Sequence, residues 1–145
     1  MKKKILASAI ILATLGIASA VYLYIFVINK PHPDYEKMDP EYVMLASDLF
    51  DSYRTYRADS EEKFNGRVIQ LNGTFDRIEQ NDSLLVGVFV FDQGIFGEEG
   101  VRCTMLASQN GTVNKKLEGK EVRVKGFVTG YNDTDVILEK CSLIN

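Results

Sequence analysis

Histidine is scarce in this chain of 145 residues, which contains only one. His32 stands between Pro31 and Pro33, and no second histidine or cysteine lies near it. Catalytic and metal sites need several such groups to converge, so a site built on histidine is excluded. We interpret His32 as a spacer residue, with a pH-sensitive role as the alternative.

Charge is absent from the 24 residues of Ile5–Ile28. As a helix this run would be about 36 Å long, enough to cross a hydrocarbon core of about 30 Å. A removable signal peptide cut after Ala18-Ser19-Ala20 is the alternative, but it would leave an apolar new terminus. We expect an uncleaved single-pass anchor in the inner (cytoplasmic) membrane. The three lysines before it place the remainder on the periplasmic or extracytoplasmic side.

Cysteine occurs only at Cys103 and Cys141. Because no cysteine precedes Cys103, the lipid-bearing cysteine of a bacterial lipoprotein is excluded. The two cysteines also lack CxxC spacing, so a zinc site or a thioredoxin-like redox motif is not supported. An even pair in an exported protein favours a disulfide, which would close a loop of about 38 residues and contribute about 4 kcal/mol. Two buried thiols that pack as small apolar residues are the alternative.

Proline is confined to residues 29–41, which predicts an extended linker there. The expected organisation is therefore a basic tail at 1–4, an anchor at 5–28, the linker at 29–41 and a folded domain at 42–145. Within the domain, Leu49, Phe50, Tyr53 and Tyr56 recur at helical spacing after the N-cap Ser47. They predict a helix that packs on a sheet, breaks near residues 58–59 and ends at residues 65–66.

From residue 66 onward the apolar period changes to two, which predicts strands. Five are expected, at 66–78, 84–91, 101–106, 121–128 and 135–144, with a polar turn at 79–83, an acidic loop at 92–100 and a helical turn at 114–117. The pattern favours a mainly β domain, a five-stranded OB-fold-like barrel preceded by an N-terminal helix. An open antiparallel sheet with the helix across one face is the alternative.

Several short sequence blocks resemble a known group of proteins. They are residues 29–32, 46–50, 58–59, 63–69, 71–75, 101–103, 119–122, 124–126 and 135–141. The order of these blocks is similar to that of short exported bacterial proteins, many from Bacteroidota, in the tRNA-anticodon-like OB-fold family. The resemblance implies an OB-fold and no particular function, because a fold does not determine a function.

An excess of positive charge is also absent. From Glu41 onward, 12 lysines and arginines face 17 aspartates and glutamates, and 12 − 17 = −5. Nucleic acid binding depends on phosphate contacts, which an acidic domain supplies poorly. Two glutamates interrupt the one basic cluster, which comprises Lys115, Lys116, Lys120, Arg123 and Lys125. We expect no nucleic acid partner.

No constellation of catalytic residues is present, so we expect no enzyme and no cofactor. Asp92, Glu98 and Glu99 are oxygen donors of the kind that Ca²⁺ prefers, but they lack EF-hand spacing. We interpret them as a solvated acidic loop and expect no metal.

A membrane-anchored binding or interaction module remains, with an envelope protein, peptide or saccharide as its partner. OB barrels bind through strands 2 and 3 and the loops 1–2 and 4–5, where this chain places Phe89, Arg102, Asp82 and Tyr131. Tyr131 is expected to be exposed, so that its ring can stack on a ligand; a ring that covers the barrel end is the alternative. The alternative function is a structural or envelope-stress accessory protein without a small ligand.

Overall fold

A computed structural model describes residues 2–28 and 33–144 of the chain. His32 lies outside the described residues. The chain separates into two compact units between Pro33 and Asp34.

The first unit is a single helix. It comprises α1 (Lys2–Leu23) and one continuing π-helical segment (Tyr24–Ile28). The hydroxyls of Thr14 and Ser19 donate to the carbonyls of Ile11 and Gly16, so neither needs a partner outside the helix. The 19 residues of Ile10–Ile28 have a mean hydropathy of 2.3 and are long and apolar enough to cross a membrane. This length and composition suit a membrane anchor and a signal sequence equally.

The second unit is mainly β. Its strands are β1 (Tyr42–Leu45), β2 (Val68–Thr74), β3 (Arg77–Asn81), β4 (Leu84–Gly94), β5 (Gly97–Met105), β6 (Glu121–Tyr131) and β7 (Asp135–Leu143). They form one sheet in the order β1-β2-β6-β7-β5-β4-β3, with parallel pairing of β1 to β2 and of β5 to β7. Two short 3₁₀ turns, Ala107–Gln109 and Lys115–Leu117, connect β5 to β6.

The closed five-stranded barrel predicted from the sequence was wrong in strand number and closure. The sheet has seven strands, and it is open, with β1 and β3 as its two edge strands. One reason is that the predicted first strand bends: β2 and β3 are separated by Phe75 and Asp76 and pair with different neighbours, β6 and β4. β2 and β3 are therefore consecutive in the chain but lie near opposite edges of the sheet.

Phe75 explains the bend between β2 and β3. Its ring is fully buried and packs 4.8 Å, between centroids, from the ring of Phe89. A Cβ on Gly87 would lie 2.4 Å from the Phe75 ring, so the chain can turn here only over a residue without a side chain.

Two helices lie between β1 and β2. They are α2 (Ala46–Thr55) and α3 (Arg57–Phe64), and they separate at Tyr56 rather than at the predicted residues 58–59. Leu49, Phe50 and Tyr53 are buried against the sheet, as the helical spacing predicts. Tyr56 is 66% exposed because it stands at the junction between the two helices.

Residues 34–40, predicted as part of the linker, lie on the sheet. We call them the strap. The Tyr35 ring packs edge-on against Phe127 at 5.2 Å, and the Lys140 ammonium lies 4.5 Å from the Tyr35 centroid. Lys125 donates to the carbonyls of Glu36 and Met38 at 2.8 and 2.6 Å. The strap therefore belongs to the folded unit.

Candidate functional site

The four residues predicted to bind a ligand do not meet in one place. Tyr131 pairs with Val136, which pairs with Val101 near the start of β5. Asp82 lies in the turn between β3 and β4, beyond the level of Thr104. The level of Val101 and the turn beyond Thr104 are roughly 15 Å apart at about 3.3 Å per residue, and Arg102 lies between them.

Phe89 was predicted as a ligand contact, and the structure corrects this prediction. Its side chain is 0% exposed and packs in the core between Phe75 and Phe91. β4 is buried on its inner face at this level, so Phe89 supports the sheet and meets no ligand.

Tyr131 is half-buried at the end of the sheet. Its ring lies 5.8 Å from the Tyr53 ring and 5.4 Å from the Arg57 guanidinium carbon, and its hydroxyl donates to the Asp133 carbonyl at 3.0 Å. Burial raises the pKa of Tyr131 above its ordinary value. These contacts hold the ring against α2 and α3, so the ring is not freely exposed.

Arg102 belongs to a row of alternating charges on the outer face of β3, β4 and β5. Arg77 pairs with Glu79 and Glu98, and Arg102 pairs with Glu79. Burial opposes ionisation of Glu79, but hydrogen bonds and charge from Arg77 and Arg102 lower the pKa of its carboxyl below the ordinary value. The row covers Val88, which is only 2% exposed. We call it the charged row.

Asp82 has a backbone role. With Ser83 it forms the turn between β3 and β4, and its φ of 52° is in the left-handed region that aspartate tolerates better than most residues. Its side chain is exposed.

The predicted acidic loop is a hairpin. Asp92 pairs with Arg54 and Glu98 with Arg77, which explains why the carboxylates do not gather. Within residues 2–28 and 33–144, no group of three or more potential metal ligands comes together.

The most exposed apolar side chains of the domain lie at the end of this hairpin. Gly94 pairs with Gly97, and the two residues between them, Ile95 and Phe96, are 96% and 91% exposed. Such two-residue turns ordinarily use asparagine and glycine. We call Ile95 and Phe96 the hairpin tip. The sequence pattern does not predict this tip, because the surrounding glycines and carboxylates dominate it, although an Ile-Phe pair between two glycines is a visible signal.

The tRNA_anti-like family matches residues 1–143. The chain belongs to this family. A search of curated proteins finds no match.

Among solved structures, this tRNA_anti-like chain is similar to a candidate nucleic acid-binding lipoprotein from Klebsiella pneumoniae subsp. pneumoniae. The identity is 12%, the TM-score is 0.51, and the match covers 80% of this chain and 100% of the Klebsiella chain. At this identity the similarity shows a common fold. The family match over residues 1–143 confirms the predicted family.

Two cysteines lie in the core of the tRNA_anti-like domain. Cys103 and Cys141 are free, fully buried thiols, and Cys103 shares the inward direction of Val101 and Met105, as predicted. The predicted disulfide between them is not confirmed. Burial, followed by the interaction with Cys103, raises the pKa of Cys141 well above its ordinary value, so Cys141 remains a thiol at neutral pH.

Proposed function

We propose that this protein is a membrane-anchored binding module that faces the periplasm and contacts an envelope protein through its hairpin tip. The proposed role is binding, without catalysis. The observation that carries the proposal is the almost complete exposure of Ile95 and Phe96.

A pocket on a partner protein would bury the apolar surface of the tip. Fully burying an isoleucine or phenylalanine side chain contributes about 1.5–3 kcal/mol each, and buried aromatic anchors frequently dominate protein interfaces. Glu98 and Glu99 follow the tip after Gly97. Because Glu98 is paired with Arg77, a pocket bordered by basic side chains would meet the carboxylate of Glu99. A small saccharide fits less well, because the tip is convex and saccharides bind in clefts.

The hairpin tip lies far from the strap within the domain. The strap lies at the level of Phe127 and Lys125, which correspond to the end of β5 near Met105. The tip precedes the start of β5 at Gly97, eight residues away, or about 26 Å along the strand. Within the folded domain the strap and the hairpin tip therefore lie toward opposite ends of β5.

Crosslinking in cells tests the proposal. A photoreactive amino acid at position 96 is expected to capture one defined envelope protein, whereas the same group at position 56 should capture none. Tyr56 is a matched control, since it is 66% exposed and lies outside the hairpin. The substitutions I95S and F96S should abolish capture from position 93 while leaving the amount of folded protein unchanged. Equal capture from positions 56 and 96 would refute the proposal.

The proposal includes a disulfide between Cys103 and Cys141. Both thiols lie in the same buried cluster, and Cys103 contributes to the raised pKa of Cys141, so the two residues are neighbours in the core. An oxidising compartment favours the bridge.

A further inference from the structure

A cleft lies at the end of the domain opposite the hairpin tip. It has a volume of about 420 Å³, within the range of small-molecule sites. The turn between β3 and β4 forms one side, and the segment around the 3₁₀ turns forms the other. Its lining residues are Ile78, Gln80, Ser83, Leu85, Asn110, Val113, Asn114 and Lys115.

The floor of the cleft is aliphatic. Ile78 and Val113 are 6% and 1% exposed, and Leu85 is half-buried beside them. No aromatic side chain lines the cleft, which disfavours stacking on a sugar ring or a base. A branched aliphatic group fits this floor.

Two hydrogen bonds join the walls. The Asn110 side chain donates to the Ser83 carbonyl at 3.3 Å, and the Ile78 amide donates to a Glu118 carboxylate oxygen at 2.9 Å. The second bond turns the Glu118 carboxylate toward the β3 backbone. The cleft is thus held open in the folded domain, which lowers the cost of ordering a ligand.

Lys115 supplies a positive charge at the rim. Its side chain is exposed, and it forms no ion pair within the described part of the chain. The neighbouring Lys116 carries the same charge but does not line the cleft. A carboxylate beside the aliphatic group would receive a charge-assisted hydrogen bond from Lys115.

We propose that this cleft binds a short branched aliphatic carboxylate, with the alkyl group on Ile78, Leu85 and Val113 and the carboxylate at Lys115. Both a free acid and the carboxyl-terminal leucine of a peptide present this chemistry. The site is separate from the hairpin tip and does not depend on the function proposed for it.

Methyl NMR of the full chain in nanodiscs tests the proposal. Titration with 4-methylpentanoate is expected to give saturable shifts of the Ile78, Leu85 and Val113 methyl signals, with a Kd on the order of 1 mM. Acetyl-leucine replaces it in a second titration, and tighter binding there would identify a peptide terminus as the source. Acetyl-leucinamide, which lacks the carboxylate, should bind at least about fivefold more weakly than acetyl-leucine.

Two lysine variants distinguish a specific contact at Lys115 from a nonspecific effect of positive charge. K115Q should weaken binding by about fivefold, whereas K116Q removes the same charge one residue away and should leave the Kd unchanged. Both lysines are exposed, and unchanged methyl spectra before titration will show that the variants are folded. Equal weakening by both variants, equal binding of the amide, or no saturable shift at the three methyl groups would overturn the proposal.

Discussion

At the scale of single residues, the burial of Cys103 and Cys141 conflicts with the accessibility that disulfide formation requires. Disulfide formation needs a thiolate that an oxidant can reach. Both side chains are 0% exposed, and burial raises the pKa of Cys141. A bridge would therefore have to form while the chain is still folding, because both thiols are inaccessible in the folded core.

This order of events gives a prediction about oxidation. The reduced, folded protein is expected to resist oxidised glutathione for hours, whereas protein refolded in its presence should lose two hydrogen atoms in intact mass. The bridged form should be more stable to urea than the reduced form, by at most about 4 kcal/mol. The variant C103A/C141A controls for side reactions. Two alkylatable thiols on protein isolated from the envelope would reject the bridge.

At the scale of elements, the strap connects the predicted linker to the sheet. Y35A is expected to lower the free energy of unfolding by about 1–2 kcal/mol, because it removes the edge-on contact with Phe127 and the cation–π contact with Lys140. Urea denaturation of the full chain, followed by the near-ultraviolet signal of the remaining tyrosines, measures this loss.

His32 provides the control for the strap. The sequence predicts a spacer at this position, so H32A should leave the unfolding free energy unchanged within about 0.5 kcal/mol. A similar loss in both variants would contradict the boundary between spacer and strap.

The sequence predicts those elements whose apolar period is clear. The four strands at 84–91, 101–106, 121–128 and 135–144 were found, although β4 and β5 extend further into their hairpin. β1 was missed because it has only four residues between the strap and α2. The sequence predicts part of β3 as a turn, because its outward positions are charged; in the structure Arg77 and Glu79 pair across the surface.

The same limit applies to the candidate site. Chain order could not show that Phe89 faces inward, since β4 is apolar on both faces and gives no alternation. Nor could it show that Tyr131 rests on Arg57, which lies 74 residues earlier. Contacts of this kind depend on how separate elements pack, and no local period records them.

At the scale of the whole molecule, the arrangement of charge matters more than its total. From Glu41 onward the chain has six arginines. Five of them form ion pairs with carboxylates: Arg54, Arg57, Arg67, Arg77 and Arg102. A phosphate would have to displace a carboxylate at each of these sites, and the domain carries net negative charge besides.

This arrangement predicts that the chain does not bind nucleic acid, unlike what is suggested for the Klebsiella protein of similar fold. Fluorescence anisotropy with single-stranded RNA and DNA should give a Kd weaker than about 10⁻⁴ M at physiological salt. The charged row offers an internal control: E79Q/E98Q frees Arg77 and Arg102 and should produce weak binding that disappears between about 50 and 200 mM salt. Saturable, salt-dependent binding by the unaltered chain would contradict this prediction. It would show that phosphate groups displace the carboxylates from the arginines, so that the acidic surface weakens nucleic acid binding without preventing it.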